Sequence, residues 1–261
     1  LVTLTADIDA RRDELRRRFS VWRPRTLSDW LDDCAERYSG RPMVLTDDRE
    51  LSYADVATES RRLADGLAAL GVQPGDRVAM IMANYPEFVA IKFAIARTGA
   101  IAVPLNFLYR SEELRFVLAD AGCRVVITMT GFAGLNYQAT LDVIPNPPTV
   151  VLLDTDGRAR SGALTVEGLA TLGDQNRGAS DGRQMDPCGP GDMLYTSGTT
   201  GAPKGVVVSH DAVLRTAFAS ALTRAYQNGR RILFSLPCYH MFGYVEGLLS
   251  VGFVGGAVIP Q

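Results

Sequence analysis

Histidine is nearly missing from this 261-residue chain, and cysteine is sparse. With only His210 and His240, a multi-histidine metal centre is not expected. The four cysteines, Cys34, Cys123, Cys188 and Cys238, are scattered and form no CxxC pair. That spacing argues against a disulfide frame or a zinc site and for reduced thiols in a cytosolic setting. Neither sign of charge dominates. A formal net charge of -2 gives no whole-molecule bias toward nucleic acid. Long apolar runs are lacking too. The most apolar stretch, 245–259, is interrupted by Glu246 and is too short to span a bilayer. The arginine-rich N-terminus has no apolar core segment or cleavage site, so no signal peptide is read there. No low-complexity tract or short-period repeat occurs. A cytoplasmic protein is the expectation.

What is present suits a sizeable core: 47% of residues are hydrophobic and 21% charged, enough for one large domain or two small ones. Residues 1–25 mix seven arginines with four acids and read as a short charged helix. A solvated lead-in arm and a membrane-surface helix both fit that pattern, and nothing else in the arm points to a membrane. A helix is expected near 27–38, then a hairpin around Asp47 and Asp48. Over 53–70, Val56, Leu63, Leu67 and Leu70 recur at helical spacing and Gly71 is a natural stop. From Gly75 the chain alternates between strand and helix. "DRVAMIMAN", "AIAVPLN" and "CRVVITM" read as strands, with "PEFVAIKFAIARTG" and "SEELRFVLADAG" as helices between them. Strands apolar on both faces imply an α/β fold of layered parallel sheets flanked by helices. Residues 154–191 read as a surface excursion with a weak helical patch at 164–172. A second α/β unit follows: strand, Gly-rich loop, the strand "GVVVSH", a helix capped by Ser209, the strand "RRILFSLP", a helix over "FGYVEGLLSVGF" and a last strand, "GAVIP".

The loop "MLYTSGTTGAPKGVVVSH", 193–210, carries the chemistry. Phosphate oxygens need donors at short range. Glycine lets backbone approach closely. Hydroxyls donate to phosphate or ligate a metal, and lysine adds a mobile positive charge. Thr196, Ser197, Gly198, Thr199, Thr200, Gly201 and Lys204 supply all three. The string is not a Walker loop, because Lys204 follows Pro203 and precedes Gly205, and it is not a GxGxxG fingerprint.

This loop closely resembles the phosphate-loop signature of the adenylate-forming superfamily, which includes acyl-CoA synthetases, aryl-CoA ligases, luciferases and peptide-synthetase adenylation domains. The likeness extends to the stretch from "ELSYADV" to "AVPLN" and to "RILFSLPCYHMFGY", and covers about 26–261. It implies an incomplete N-terminal domain of an adenylate-forming enzyme. Residues 1–25 would be an arm, 26–180 a first α/β subdomain of the AMP-binding domain, and 181–261 the phosphate loop and the start of a second. It also implies a two-step ligase: ATP and a carboxylic acid, a fatty acid by preference, form an acyl-adenylate, and coenzyme A takes the acyl group. By motif position the seven loop residues named above would hold the β- and γ-phosphates. Lys204 and Thr196 would be catalytic, and Thr196 would touch Mg²⁺. His240 matches a position beside the carboxylate and acyl pocket, with a satisfied buried histidine as the plainer reading. Tyr239, Met241, Phe242 and Gly243 would lie near the substrate or simply pack the core. His210 is read as support for a helix start, and Cys238 as no nucleophile.

The family's downstream motifs, including a Mg²⁺-binding glutamate, a ribose-binding aspartate and a C-terminal domain with a catalytic lysine, do not occur. The start at Leu1 and the apolar end at "GGAVIPQ" suggest a fragment, expected to be weakly active or inactive alone. Two alternatives stay open: an adenylation domain that loads a carrier protein or stops at acyl-adenylate, and a non-catalytic protein that binds a nucleotide or a partner.

Overall fold

The computed structural model describes residues 2–196 and 203–261. The chain opens with helix α1 (Val2–Arg18) and continues through α2 (Leu27–Tyr38), β1 (Pro42–Leu45), β2 (Glu50–Ser52), α3 (Tyr53–Ala69) and β3 (Arg77–Ile81). Next come α4 (Glu87–Arg97), β4 (Ile101–Leu105), α5 (Ser111–Asp120) and β5 (Cys123–Met129). A small hairpin, β6 (Gly131–Phe132) and β7 (Leu135–Asn136), leads to α6 (Tyr137–Asp142), β8 (Thr149–Leu153) and α7 (Val166–Gln175). The last third holds β9 (Pro190–Thr196), β10 (Lys204–Ser209), α8 (His210–Thr223), β11 (Arg231–Phe234), a π-helix (Phe242–Leu249), α9 (Ser250–Gly252) and β12 (Ala257–Pro260).

Local chemistry sets the helix starts. Thr26 with Asp29 and Ser52 with Asp55 form reciprocal capping boxes at α2 and α3. Ser209 accepts from the Ala212 N–H at the start of α8. Gly71, at φ +84, provides the left-handed turn just past α3.

Six strands form the larger sheet in the order β10-β9-β4-β3-β5-β8. Its β9-β4-β3-β5-β8 portion is parallel. Full burial of β4 and near-full burial of β3 and β5 explain their continuous apolar runs. The smaller sheet runs β11-β12-β1-β2. The layers are mixed rather than purely parallel, because β9–β10 and β1–β2 pair antiparallel. The sequence boundary at 180 does not coincide with a break between sheets. β9 pairs with β4 across it, and β12 pairs with β1. Residues 130–153, without an assigned element in the sequence reading, hold β6, β7, α6 and β8.

Helix α4 lies between two cores. Ala90, Ile91, Ala94 and Ile95 pack with the larger sheet, while Val89, Phe93 and Ala96 pack with α8 and the π-helix. The N-terminal arm is docked, not free. Arg12 donates to the last carbonyls of α8 at Leu222 and Thr223, and the Trp22 indole N–H donates to Asp211 Oδ1 at 2.7 Å. Among the described residues no helix is long and apolar enough to cross a membrane.

Candidate functional site

The phosphate-loop candidate is built on the β9–β10 hairpin. β9 passes from the interior to the surface within five residues, from buried Asp192 to exposed Thr196. β10 returns antiparallel, with Lys204 opposite Thr196 and Gly205 opposite Tyr195. Directly opposed side chains in such a pair share one face, with Cβ atoms about 5 Å apart. The exposed Lys204 ammonium and Thr196 hydroxyl therefore start from neighbouring points. Ser197, Gly198, Thr199, Thr200 and Gly201, the rest of the expected cradle, lie outside the described residues.

Two anchors hold the hairpin. The Tyr195 hydroxyl donates to Asp120 Oδ2 at 2.6 Å, which ties β9 to the end of α5. Burial and the Asp120 carboxylate raise the Tyr195 phenol above its ordinary range, so it stays a donor. The second anchor is His210. Its ring lies against Gly191, where a Cβ would come within 2.8 Å of Nδ1. The Leu27 N–H donates to that Nδ1 at 3.4 Å. Burial, helped by the charge of Lys92, lowers the imidazole to about 4, so the ring is neutral at physiological pH. His210 is a wedge between α2 and β9.

The second candidate segment, 237–243, follows β11. The Cys238 N–H donates to Asn84 Oδ1 at 2.8 Å, and Asn84 Nδ2 donates to Leu236 O at 3.1 Å and Gln261 O at 3.0 Å. One amide thus pins the ends of β3, β11 and β12 together. Tyr239 is half-buried, with its ring edge-on to Phe107 at 5.4 Å. Met241 is half-buried, while His240 and Phe242 are exposed. The plainer reading of His240 as a buried histidine is therefore not met. Its Nδ1 accepts from the Phe242 N–H at 3.3 Å. Gly243 is buried against the chain that precedes it, and a Cβ there would lie 2.4 Å from Pro237 O. Burial pushes the Cys238 thiol up to about 12, which leaves it protonated and a poor nucleophile.

Three residues near these segments escaped the sequence reading. Asn84 is a polar residue directly after a buried strand. Lys92 and Asp192 are charges inside apolar runs, "FVAIKFAIA" and "PGDMLYT", and a charge in an apolar run needs a partner. Among the described residues no group of three or more His, Cys, Asp or Glu side chains is placed to hold a metal.

The chain has known relatives. The long-chain-fatty-acid–CoA ligase FadD13 of Mycobacterium tuberculosis is 34% identical over 206 residues, covering 78% of this chain and 38% of that protein. Triostin synthetase I of Streptomyces triostinicus is 34% identical over 212 residues, or 80% of this chain and 38% of its own length. The apo structure of Mycobacterium smegmatis MbtA superposes with a TM-score of 0.79 at 26% identity, covering 96% of this chain and 46% of that one. The chain thus spans less than half the length of these relatives. A family model described as AMP-binding enzyme matches residues 31–261. The chain belongs to the AMP-binding enzyme family.

Proposed function

We propose that this chain supplies the phosphate-binding side of an ATP-dependent acid–thiol ligase. The complete protein would join ATP and a carboxylic acid, a fatty acid by preference, into an acyl-adenylate and pass the acyl group to coenzyme A. The observation that carries this reading is the strand pairing that sets Lys204 opposite Thr196, on either side of residues 197–202 in sequence. A carboxylate attacks the α-phosphate only if the charge that develops on the leaving pyrophosphate is stabilised. Lys204 would offer that charge, and Thr196, with Ser197, Gly198, Thr199, Thr200 and Gly201, the hydrogen-bond donors. The family implies Mg²⁺. The single exposed Thr196 hydroxyl fits such an ion, which keeps most of its shell as water and phosphate oxygen. Bound there, it would neutralise phosphate charge.

The 237–243 segment would face the acyl carboxylate. His240 is the polar group there, and Tyr239, Met241, Phe242 and Gly243 form its surroundings. Residues 26–180 and 181–261, joined by the β4–β9 and β1–β12 pairings, would act together as the AMP-binding domain, with 1–25 as a docked arm. A cytoplasmic setting goes with this reading.

The test is ATP binding by calorimetry, together with ATP–pyrophosphate exchange over a panel of carboxylic acids. Binding that Lys204→Ala weakens, with weak or no exchange by the chain alone, supports the reading. Unchanged ATP affinity in Lys204→Ala would sink it.

A further inference from the structure

Among residues 88–96 of α4, Lys92 is the sole charge, and it is completely buried. Its Nζ lies 2.6 Å from Oδ1 of Asp192, and both side chains are 0% exposed. The same ammonium sits 4.9 Å from the centroid of the Tyr244 ring. The contact is a short, fully buried ion pair. Among the described residues neither charge has a further hydrogen-bond partner, and the Tyr244 hydroxyl is buried without one.

Removing two ions from water usually cancels what their attraction returns, so an apolar pair at this place would hold the fold as well or better. The pair is better explained by what it positions. Three elements meet at it. Asp192 is in β9, four residues before Thr196, and Tyr244 is in the π-helix, four residues after His240. Lys92 is on α4, the helix shared by both cores. A one-residue slip of β9 would turn Asp192 to the opposite face and leave Lys92 uncompensated. Rewinding the π-helix to α-helical pitch would rotate the Tyr244 ring from under the ammonium. Stretches of π-helix are rare and frequently sit at functional sites.

We infer that Lys92 and Asp192, with the Tyr244 ring, are positioning residues that lock the register of β9 to the winding of the Phe242–Leu249 helix. The lock holds the Thr196–Lys204 hairpin and the 237–243 segment at one fixed spacing. Its service to substrate binding rests on the function proposed above; the lock itself does not.

The test compares the chain with Lys92→Met/Asp192→Leu, which replaces the pair by apolar groups. The expected result is a denaturation midpoint close to that of the unaltered chain. Amide hydrogen exchange should be at least tenfold faster both in 193–196 with 204–208 and in 242–249. Unchanged exchange in either segment overturns the lock. Lys92→Met alone gives the same readout if the double variant does not fold, because Asp192 is then free to take up a proton and become neutral. Calorimetry with ATP separates the two ideas. An unaltered chain without ATP affinity overturns the nucleotide reading, and exchange still decides the lock. Where the chain binds ATP, at least tenfold weaker binding by the variant supports the lock's role at the hairpin. Equal affinity overturns that role.

Discussion

Lys204 stands directly opposite Thr196 across the β9–β10 hairpin, and both side chains are exposed. Neither contributes to a core, so Lys204→Ala and Thr196→Val should change stability by no more than about 0.5 kcal/mol. Their effect should appear in ligand affinity instead. A charge-assisted contact to phosphate is worth about 1.5–3 kcal/mol. Lys204→Ala is therefore expected to weaken ATP binding roughly 10- to 100-fold, and Thr196→Val by less. Calorimetry checks the affinities and thermal melting the stability.

His210 predicts a pH dependence of stability. Its folded pKa is depressed to about 4 from an ordinary 6.5, with burial as the main cause. Between those values the unfolded chain binds the proton and the folded chain does not. Stability is therefore full above pH 6.5 and falls as pH drops toward 4, by on the order of 3 kcal/mol from this group. Urea midpoints measured from pH 7 to 4 should fall, and His210→Gln should flatten that fall while lowering the midpoint at pH 7.

Gly243 tests how tightly the 237–243 segment is folded back. A Cβ would lie 2.4 Å from Pro237 O and 2.8 Å from Leu236 O, both backbone atoms that cannot swing away. Gly243→Ala should cost about 1–3 kcal/mol through overpacking. Gly40→Ala is the control, since nothing lies within 4 Å of its added Cβ. Denaturant unfolding of the two variants compares them directly.

Asn84 should matter beyond its own size. Asn84→Ala removes two donated hydrogen bonds and one accepted bond at the junction of β3, β11 and β12. A loss of about 1–2 kcal/mol is expected, because the junction is partly exposed and water replaces some bonds. Faster amide exchange at Cys238, which loses its acceptor, is the local signature. Asn84→Asp keeps that acceptor and should leave Cys238 protected.

Much of the local structure was legible along the chain. The run from β3 to β5 follows from apolar strands alternating with capped helices, and Ser209 marks the start of α8 as its side chain suggests. The loop composition led to phosphate as the proposed ligand class. Residues 130–153 were harder, because their elements are mostly short and two of the strands have only two residues each.

Partners in space were not legible. The residues of β9 mark it as a strand but do not say that it pairs with β4, nor that the β1–β2 hairpin joins β12. Periodicity reports which face is dry, whereas strand order depends on contacts between distant residues. The run "FGYVEGLLSVGF" reads as a helix of ordinary pitch. Its π winding goes with close approaches that only the folded chain creates: Gly243 on Pro237 O, Gly247 on the Phe234 ring and Tyr244 under Lys92. Lys92 and Asp192 look misplaced along the sequence, one hundred positions apart. Only folding brings the two charges within 2.6 Å in a dry seam, where each makes the other's burial tolerable. The sequence by itself determined the family and the alternation of elements, because these reside in local residue chemistry. The tertiary structure decided the sheet order, the winding near His240 and the buried charge pair, because these exist only between segments that the chain keeps far apart.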